Sequence, residues 1–143
     1  ALAAYAGAFV VPRLVVGGGP DRARNAWPTL ATLSVAALGQ VLLFAAPAAP
    51  VAMLGAVLTG LGLSLSFPLF GVPAVRRVPP QNRGAAIGVY NAFMDLSLGL
   101  AGPVAGLIAA ATEIEAVFLF GGVCAIAAMA PAVLLYRVRV PLN

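Results

Sequence analysis

The chain has 143 residues, of which 62% are hydrophobic and 8% are charged, and its formal net charge is +4. Soluble domains carry about 25% charged residues, so this composition excludes an ordinary soluble fold and favours a membrane protein. The chain has no His and a single cysteine, Cys124, so we expect no metal site, no internal disulfide and no cofactor.

The first two apolar runs differ in length. Residues 1–16 contain Pro12 and Arg13 and fall short of the ~20 residues that a membrane span needs. We therefore interpret them as the end of an incomplete span. Residues 27–46 are long enough for a full span and begin with Trp27, a residue type that is enriched at membrane interfaces.

The third run, 51–70, carries Gly55, Thr59, Gly62 and Ser66 on one helical face. Because a proline removes a backbone hydrogen bond, we expect Pro68 to kink or end this helix. Residues 71–83 then form a polar connection. Hydroxyl and amide side chains of the second and third runs are candidates for lining a cavity or for bonding between helices: Thr32, Ser34, Gln40, Thr59, Ser64 and Ser66.

The fourth run, 85–109, is the most informative stretch of the chain. At ~100° per residue, its small and polar residues share one face: Gly84, Gly88, Asn91, Asp95, Gly99, Gly102 and Gly106. The opposite face carries large apolar residues such as Phe93 and Leu100. In lipid, small residues let helices approach closely while large ones face acyl chains, so we predict that the five glycines pack against partner helices.

Asp95 lies near the middle of this run. A carboxylate at bilayer depth costs about 2.5–3.5 kcal/mol on insertion scales, so it should face the bundle interior, pair, or carry a proton. Desolvation favours the protonated form of a carboxyl group. Asp95, with Asn91 beside it, is therefore our candidate for proton coupling or for lining a cavity. The alternative is a structural hydrogen bond from Asp95 to Asn91 or to a neighbouring helix.

The last run, 116–136, completes an all-α, polytopic membrane helix bundle of about five spans. When successive connections are assigned to alternate sides of the membrane, the two charge types separate. Glu113 and Glu115 fall on one side. The other side receives every arginine: Arg13, Arg22, Arg24, Arg76, Arg77, Arg83, Arg137 and Arg139. Positive-inside bias then predicts a cytoplasmic C-terminus, and it accounts for the basic charge without a nucleic-acid partner.

Two stretches carry a resemblance to a known family. The loop GGGPDR and, two spans later, RRVPPQNRGAAIGVYNAFMDLSLGLAGPVAG resemble the C-terminal half of a major facilitator superfamily transporter. The closer likeness is to bacterial sugar-efflux and drug-efflux-like permeases. The resemblance covers essentially the whole of residues 1–143, as spans eight to twelve of twelve with the first incomplete.

The family's loop motif maps onto Gly17, Asp21 and Arg22, although Arg24 stands where the family has a glycine. In the family this loop is a cytoplasmic gate element whose Asp interacts with the start of a neighbouring helix. The resemblance thus implies that Asp21 lies near the backbone of residues 84–86, or pairs with Arg22 or Arg83. A solvated turn is the alternative.

The resemblance implies a multi-pass transporter of the bacterial inner membrane that works by alternating access, with proton-coupled efflux (antiport) of a small, unidentified solute. Its partners would be the lipid bilayer and a missing N-terminal half. Two alternatives stay open: the chain as given is an inactive fragment of such a transporter, or it is a membrane-embedded enzyme. An enzyme would need convergent nucleophiles, bases or metal ligands, and we expect no catalytic residues.

Overall fold

The computed structural model describes residues 6–7, 9–10 and 26–137. Between residues 26 and 137 the chain forms five α-helices and one short 3-10 helix, with no strand among the described residues. The α-helices are α1 Ala26–Phe44, α2 Ala49–Arg76, α3 Arg83–Ala111, α4 Ala116–Ala127 and α5 Met129–Arg137, and the 3-10 helix is Pro80–Asn82. The predicted all-α fold class is confirmed.

Four helical segments in the described part of the chain are long and apolar enough to cross a membrane: Ala26–Phe44, Ala49–Arg76, Pro80–Ala111 and Ala116–Leu135. In sequence they correspond to the second to fifth predicted spans. Of the first predicted span, 1–16, only Ala6, Gly7, Phe9 and Val10 are described, and these are helical.

Helix α2 continues well past the point where it was expected to end. Pro68 and Pro73 both lie inside α2, which reaches Arg76, so the connection to the 3-10 helix is shorter than the predicted 71–83. Each proline removes only one backbone hydrogen bond. Helices in lipid tolerate this loss, because neighbouring helices and polar side chains supply other partners for the freed carbonyls.

The last predicted span, 116–136, is divided at Ala128 into α4 and α5. Pro131 has no N–H, so the carbonyl of Ala127 has no helical donor four residues later. The chain nevertheless keeps its direction, since the amide of Ala128 donates to the carbonyl of Cys124 at 3.0 Å and the amide of Ala132 to the carbonyl of Ala128 at 3.3 Å.

Apart from Leu33, the buried hydrophobic residues of the described bundle are all alanines. Helices α1 and α2 form the most extensive interface, and α4 and α5 pack against α1. A Cβ atom added to Gly62 would lie 2.5 Å from the carbonyl oxygen of Thr32, and one added to Gly39 would lie 2.7 Å from the carbonyl oxygen of Gly55. The two backbones therefore meet directly at glycines. Large apolar side chains lie on the outside instead, as expected for a protein surrounded by lipid.

Helix α3 lies at the edge of this bundle. It touches α2 and α4 at only a few positions, and none of its residues is buried. The small-residue face that promotes close packing in lipid is therefore uncovered in α3, whereas the corresponding face of α2 is buried against α1.

Candidate functional site

The small and polar face of α3 lies open along its whole length. Cβ atoms added at the glycines of this face would meet no atom within 4 Å: Gly84, Gly88, Gly99, Gly102 and Gly106. Asn91 and Asp95, on the same face, are exposed. The described residues thus bring the candidate coupling residues and the candidate packing glycines onto one surface, and they leave that surface without a partner helix.

Asp95 has no hydrogen-bond or ion-pair partner among the described residues. We expected it to face the bundle interior or a cavity, to pair, or to carry a proton; the described residues do not enclose it, so this stays a prediction. Along α3 it lies twelve residues from Arg83, about 18 Å at 1.5 Å per residue. The Asp95 carboxylate is exposed and can accept hydrogen bonds, but none of α1, α2, α4 and α5 provides a partner for it within the described residues.

Ser97 and Tyr90 lie off the Asp95 face. The hydroxyl of Ser97 donates to the carbonyl of Phe93, one turn earlier in the same helix, at 2.8 Å. Tyr90 has a larger role than the sequence indicated, because its hydroxyl donates to the carbonyl of Phe67 at 3.0 Å and the two rings lie 5.2 Å apart. Gly71 makes room for the Tyr90 ring: a Cβ there would lie 3.2 Å from it. Tyr90 therefore links α3 to α2.

A cleft of about 410 Å³ opens beside this link, between the end of α2 and the start of α3. Phe67, Val72 and Ile87 give it apolar walls, and Arg76 and Arg83 line it with guanidinium groups. The sequence interpretation missed this cleft because it treated the arginines only as topology signals. One available signal was the short spacing of Arg76 and Arg83 across a connection rich in proline.

The other polar candidates mostly bond between or within helices. Ser66 donates to the carbonyl of Gly62 at 2.8 Å and lies 3.4 Å from the Thr32 hydroxyl, across the α1–α2 interface. Ser64 donates to the carbonyl of Phe9. The Thr59 hydroxyl is buried and has no hydrogen-bond partner among the described atoms. A Cβ on Gly39 would meet that hydroxyl at 2.5 Å, so there is no room for a ligand beside it.

Two further polar candidates belong to α1. The amide of Gln40 packs against α4, because a Cβ on Gly121 would lie 3.0 Å from its Oε1. Ser34 is exposed. The gate-loop residues Gly17, Asp21 and Arg22 lie outside the described residues, so the gate stays a prediction.

The described arginines and glutamates lie at opposite ends of the bundle. Arg77 donates to the carbonyl of Leu135, which brings the end of α2 beside the end of α5 and Arg137. Arg76 and Arg83 share the cleft at this same end. Glu113 and Glu115 follow the other end of α3, which is 29 residues long, or about 43 Å.

Comparison with known proteins identifies the family of this chain. The family model of the Major Facilitator Superfamily matches residues 1–143. An MFS-type transporter of Pseudomonas aeruginosa (strain LESB58) is 43% identical over 136 residues, which are 95% of this chain and 34% of the relative. One of Salmonella typhimurium (strain LT2) is 43% identical over 130 residues, or 91% of this chain and 34% of the relative.

A third relative, an MFS-type transporter of Burkholderia mallei (strain SAVP1), is 48% identical over 99 residues, which are 69% of this chain and 24% of the relative. No solved structure matches the chain. The chain spans about a third of the length of the first curated relatives it matches. With its apolar, membrane-length helices and a family match along its whole length, the chain belongs to the Major Facilitator Superfamily of multi-pass membrane transporters.

Proposed function

We propose that this chain is the C-terminal part of a longer secondary transporter of the bacterial inner membrane, which exports a small solute in exchange for protons. The observation that carries the proposal is the open face of α3, where one carboxylate stands among five glycines with no described residue covering them. The threefold greater length of the relatives supports a further helical segment as the partner of this face.

The α1–α2 interface indicates how such a partner would pack. There, Gly39 and Gly62 let two helix backbones meet directly, and the small residues around them are buried. Glycines on α3 allow the same close approach by a helix from the rest of the protein. That helix would enclose Asp95 near mid-membrane, where an unpaired carboxylate is costly and a protonated or hydrogen-bonded one is not.

In this proposal Asp95 is the proton carrier. Two helical domains rock about a central site, so that the carboxyl group is exposed to one side of the membrane at a time. It binds a proton on the side where protons are abundant and releases it when the surrounding polarity and proton concentration change. Asn91, one turn earlier on the same face, can hydrogen-bond either the carboxyl group or the solute.

The same face gives no support to an enzyme. Its functional groups are one carboxylate and one carboxamide, and among the described residues no set of metal ligands converges with them. Because half of a translocation pathway encloses no central site, we expect this chain to transport nothing by itself.

The decisive experiment uses a chimera in which this chain replaces the matching segment of the Pseudomonas aeruginosa relative. Proton movement is followed with a pH-sensitive dye in inside-out vesicles while a panel of sugars and drug-like solutes is added. We expect Asp95→Asn to preserve expression and solute exchange without a gradient, because size and hydrogen bonding are kept. We expect it to abolish transport driven by the proton gradient, because the group no longer titrates.

The matched control is Ser97→Ala, which removes a hydroxyl from the same helix away from the Asp95 face and should leave transport unchanged. Full gradient-driven transport by the Asp95→Asn chimera, with an unchanged pH profile, would show that Asp95 is a structural hydrogen-bonding residue. Transport by the 143-residue chain alone would contradict the need for a further segment.

A further inference from the structure

The cleft between α2 and α3 combines two chemistries. Its walls are apolar where Phe67, Val72 and Ile87 line it, and Arg76 and Arg83 add two positive charges. Within the described part of the chain, neither arginine forms an ion pair. The described carboxylates are all distant: Asp95 lies about 18 Å along α3 from Arg83, and Glu113 and Glu115 lie beyond the opposite end of that helix.

The position of the cleft favours an amphiphile. Arg76 ends α2 and Arg83 begins α3, so the guanidinium groups lie where membrane-spanning helices reach the interface. The apolar walls extend from there toward the interior of the span. Lipid molecules have the same layout, with a charged headgroup at the interface and acyl chains below it. Basic pockets between helices at this level bind anionic headgroups.

The chemistry of the two arginines indicates which anionic group the cleft would bind. Guanidinium groups present planar, paired N–H donors that fit phosphate oxygens. A volume of about 410 Å³ lies within the usual range of small-molecule sites, and it suits a headgroup with the first part of an acyl chain.

We propose that this cleft binds one anionic phospholipid, with its phosphate held between Arg76 and Arg83 and the start of an acyl chain against Val72 and Ile87. Phe67 and Tyr90, which link α2 and α3, also line the cleft, so a lipid bound there would contact both helices. The lipid site needs neither Asp95 nor a solute pathway, and it shares only Asn91, which also lines the cleft, with the transport proposal.

The test uses native mass spectrometry of the purified chain in detergent. Phosphatidylglycerol, phosphatidylcholine and inorganic phosphate are titrated in separate arms. We expect saturable binding of one phosphatidylglycerol and much weaker binding of the zwitterionic lipid and of phosphate. Each Arg→Gln change at Arg76 or Arg83 should weaken phosphatidylglycerol binding about fivefold, and the double variant about 25-fold.

Two matched controls make the result specific. Arg137→Gln removes an exposed arginine at the same end of the bundle but outside the cleft, and it should leave binding unchanged. Ile87→Trp fills the apolar wall and should lower binding with both arginines present, whereas Leu107→Trp, on the exposed side of the same helix, should not.

Three results would overturn the proposal. The first is equal affinity for phosphatidylglycerol and phosphatidylcholine. The second is a loss in Arg137→Gln as large as in the double variant, which would indicate general surface attraction. The third is inorganic phosphate binding as tightly as the lipid, which would leave a simple anion site.

If Asp21→Asn strengthens lipid binding severalfold, the carboxylate of the gate loop competes for Arg83, and the site is still supported.

Discussion

Glycine has two different roles in this chain, and they can be separated residue by residue. Gly39 and Gly62 sit where the backbones of α1 and α2 meet, and a Cβ atom on either would lie within 2.7 Å of backbone atoms of the other helix. Gly99 and Gly102 have nothing within 4 Å of that position. At the α1–α2 interface only glycine fits, whereas on the open face of α3 a larger residue could be accommodated in the described structure.

This difference gives a stability prediction. Gly62→Ala should destabilise the chain by about 1–3 kcal/mol, because its methyl group forces α1 and α2 apart. Gly99→Ala should be neutral or stabilising by up to about 1 kcal/mol, since alanine is the better helix former. Both free energies can be measured by denaturant unfolding in detergent micelles. A Gly62→Ala chain as stable as the parent would mean that the two backbones do not meet as described.

At the residue level, a sequence is most informative where a side chain bonds within its own helix. The bond of Ser97 to the preceding turn is of this kind, because it depends only on helix geometry. Tyr90 was missed since its partner, the carbonyl of Phe67, belongs to another helix. The openness of the Asp95 face was also beyond a pattern argument, because helical periodicity says which residues share a face and not what covers it.

At the level of elements, the contact between α2 and α3 depends on few residues. The Tyr90 hydroxyl and ring both engage Phe67, and Gly71 accommodates the ring. Elsewhere α3 contacts its neighbours little. The position of α3 relative to α2 therefore rests largely on one tyrosine.

Substitutions at Tyr90 test how much this contact contributes to the free energy of unfolding. Tyr90→Phe should lower the free energy of unfolding by about 0.5–1.5 kcal/mol, the usual net value of one hydrogen bond. Tyr90→Ala should lower it further because the ring contact is lost as well. Ser97→Ala serves as the control, since it removes a hydroxyl that bonds only within α3. If Tyr90→Phe unfolds at the same denaturant concentration as the parent, the hydroxyl contributes nothing to holding α3.

Helix positions were predictable and helix ends were less so. Apolar length alone located the runs that became α1 to α5, because a span must satisfy its backbone internally in lipid. Both differences from the prediction, at the end of α2 and at Ala128, involve proline, which some helices accommodate and others do not. Pro68 and Pro73 are carried within α2, whereas the helix is interrupted three residues before Pro131.

For the molecule as a whole, the charge distribution makes orientation testable. Positive-inside bias predicts that the end carrying Arg76, Arg77, Arg83 and Arg137 lies in the cytoplasm. A reporter enzyme that is active only outside the cytoplasm should be silent when fused after Asn143 and active when fused within residues 110–116. The reverse pattern would invert the predicted orientation and would place the arginine-lined cleft on the outer side of the membrane.

The close α1–α2 interface also bears on the order in which the protein assembles during synthesis. These two helices follow one another after a short turn and cover each other's small residues, so they can pair as soon as both have entered the bilayer. Helix α3 finds no such surface in its immediate neighbours. If the rest of the transporter precedes this chain, its helices are already in the membrane when α3 emerges, because domains form in the order of translation. In that case the α1–α2 hairpin would form first as a fixed scaffold, and α3 would dock later against the preceding helices.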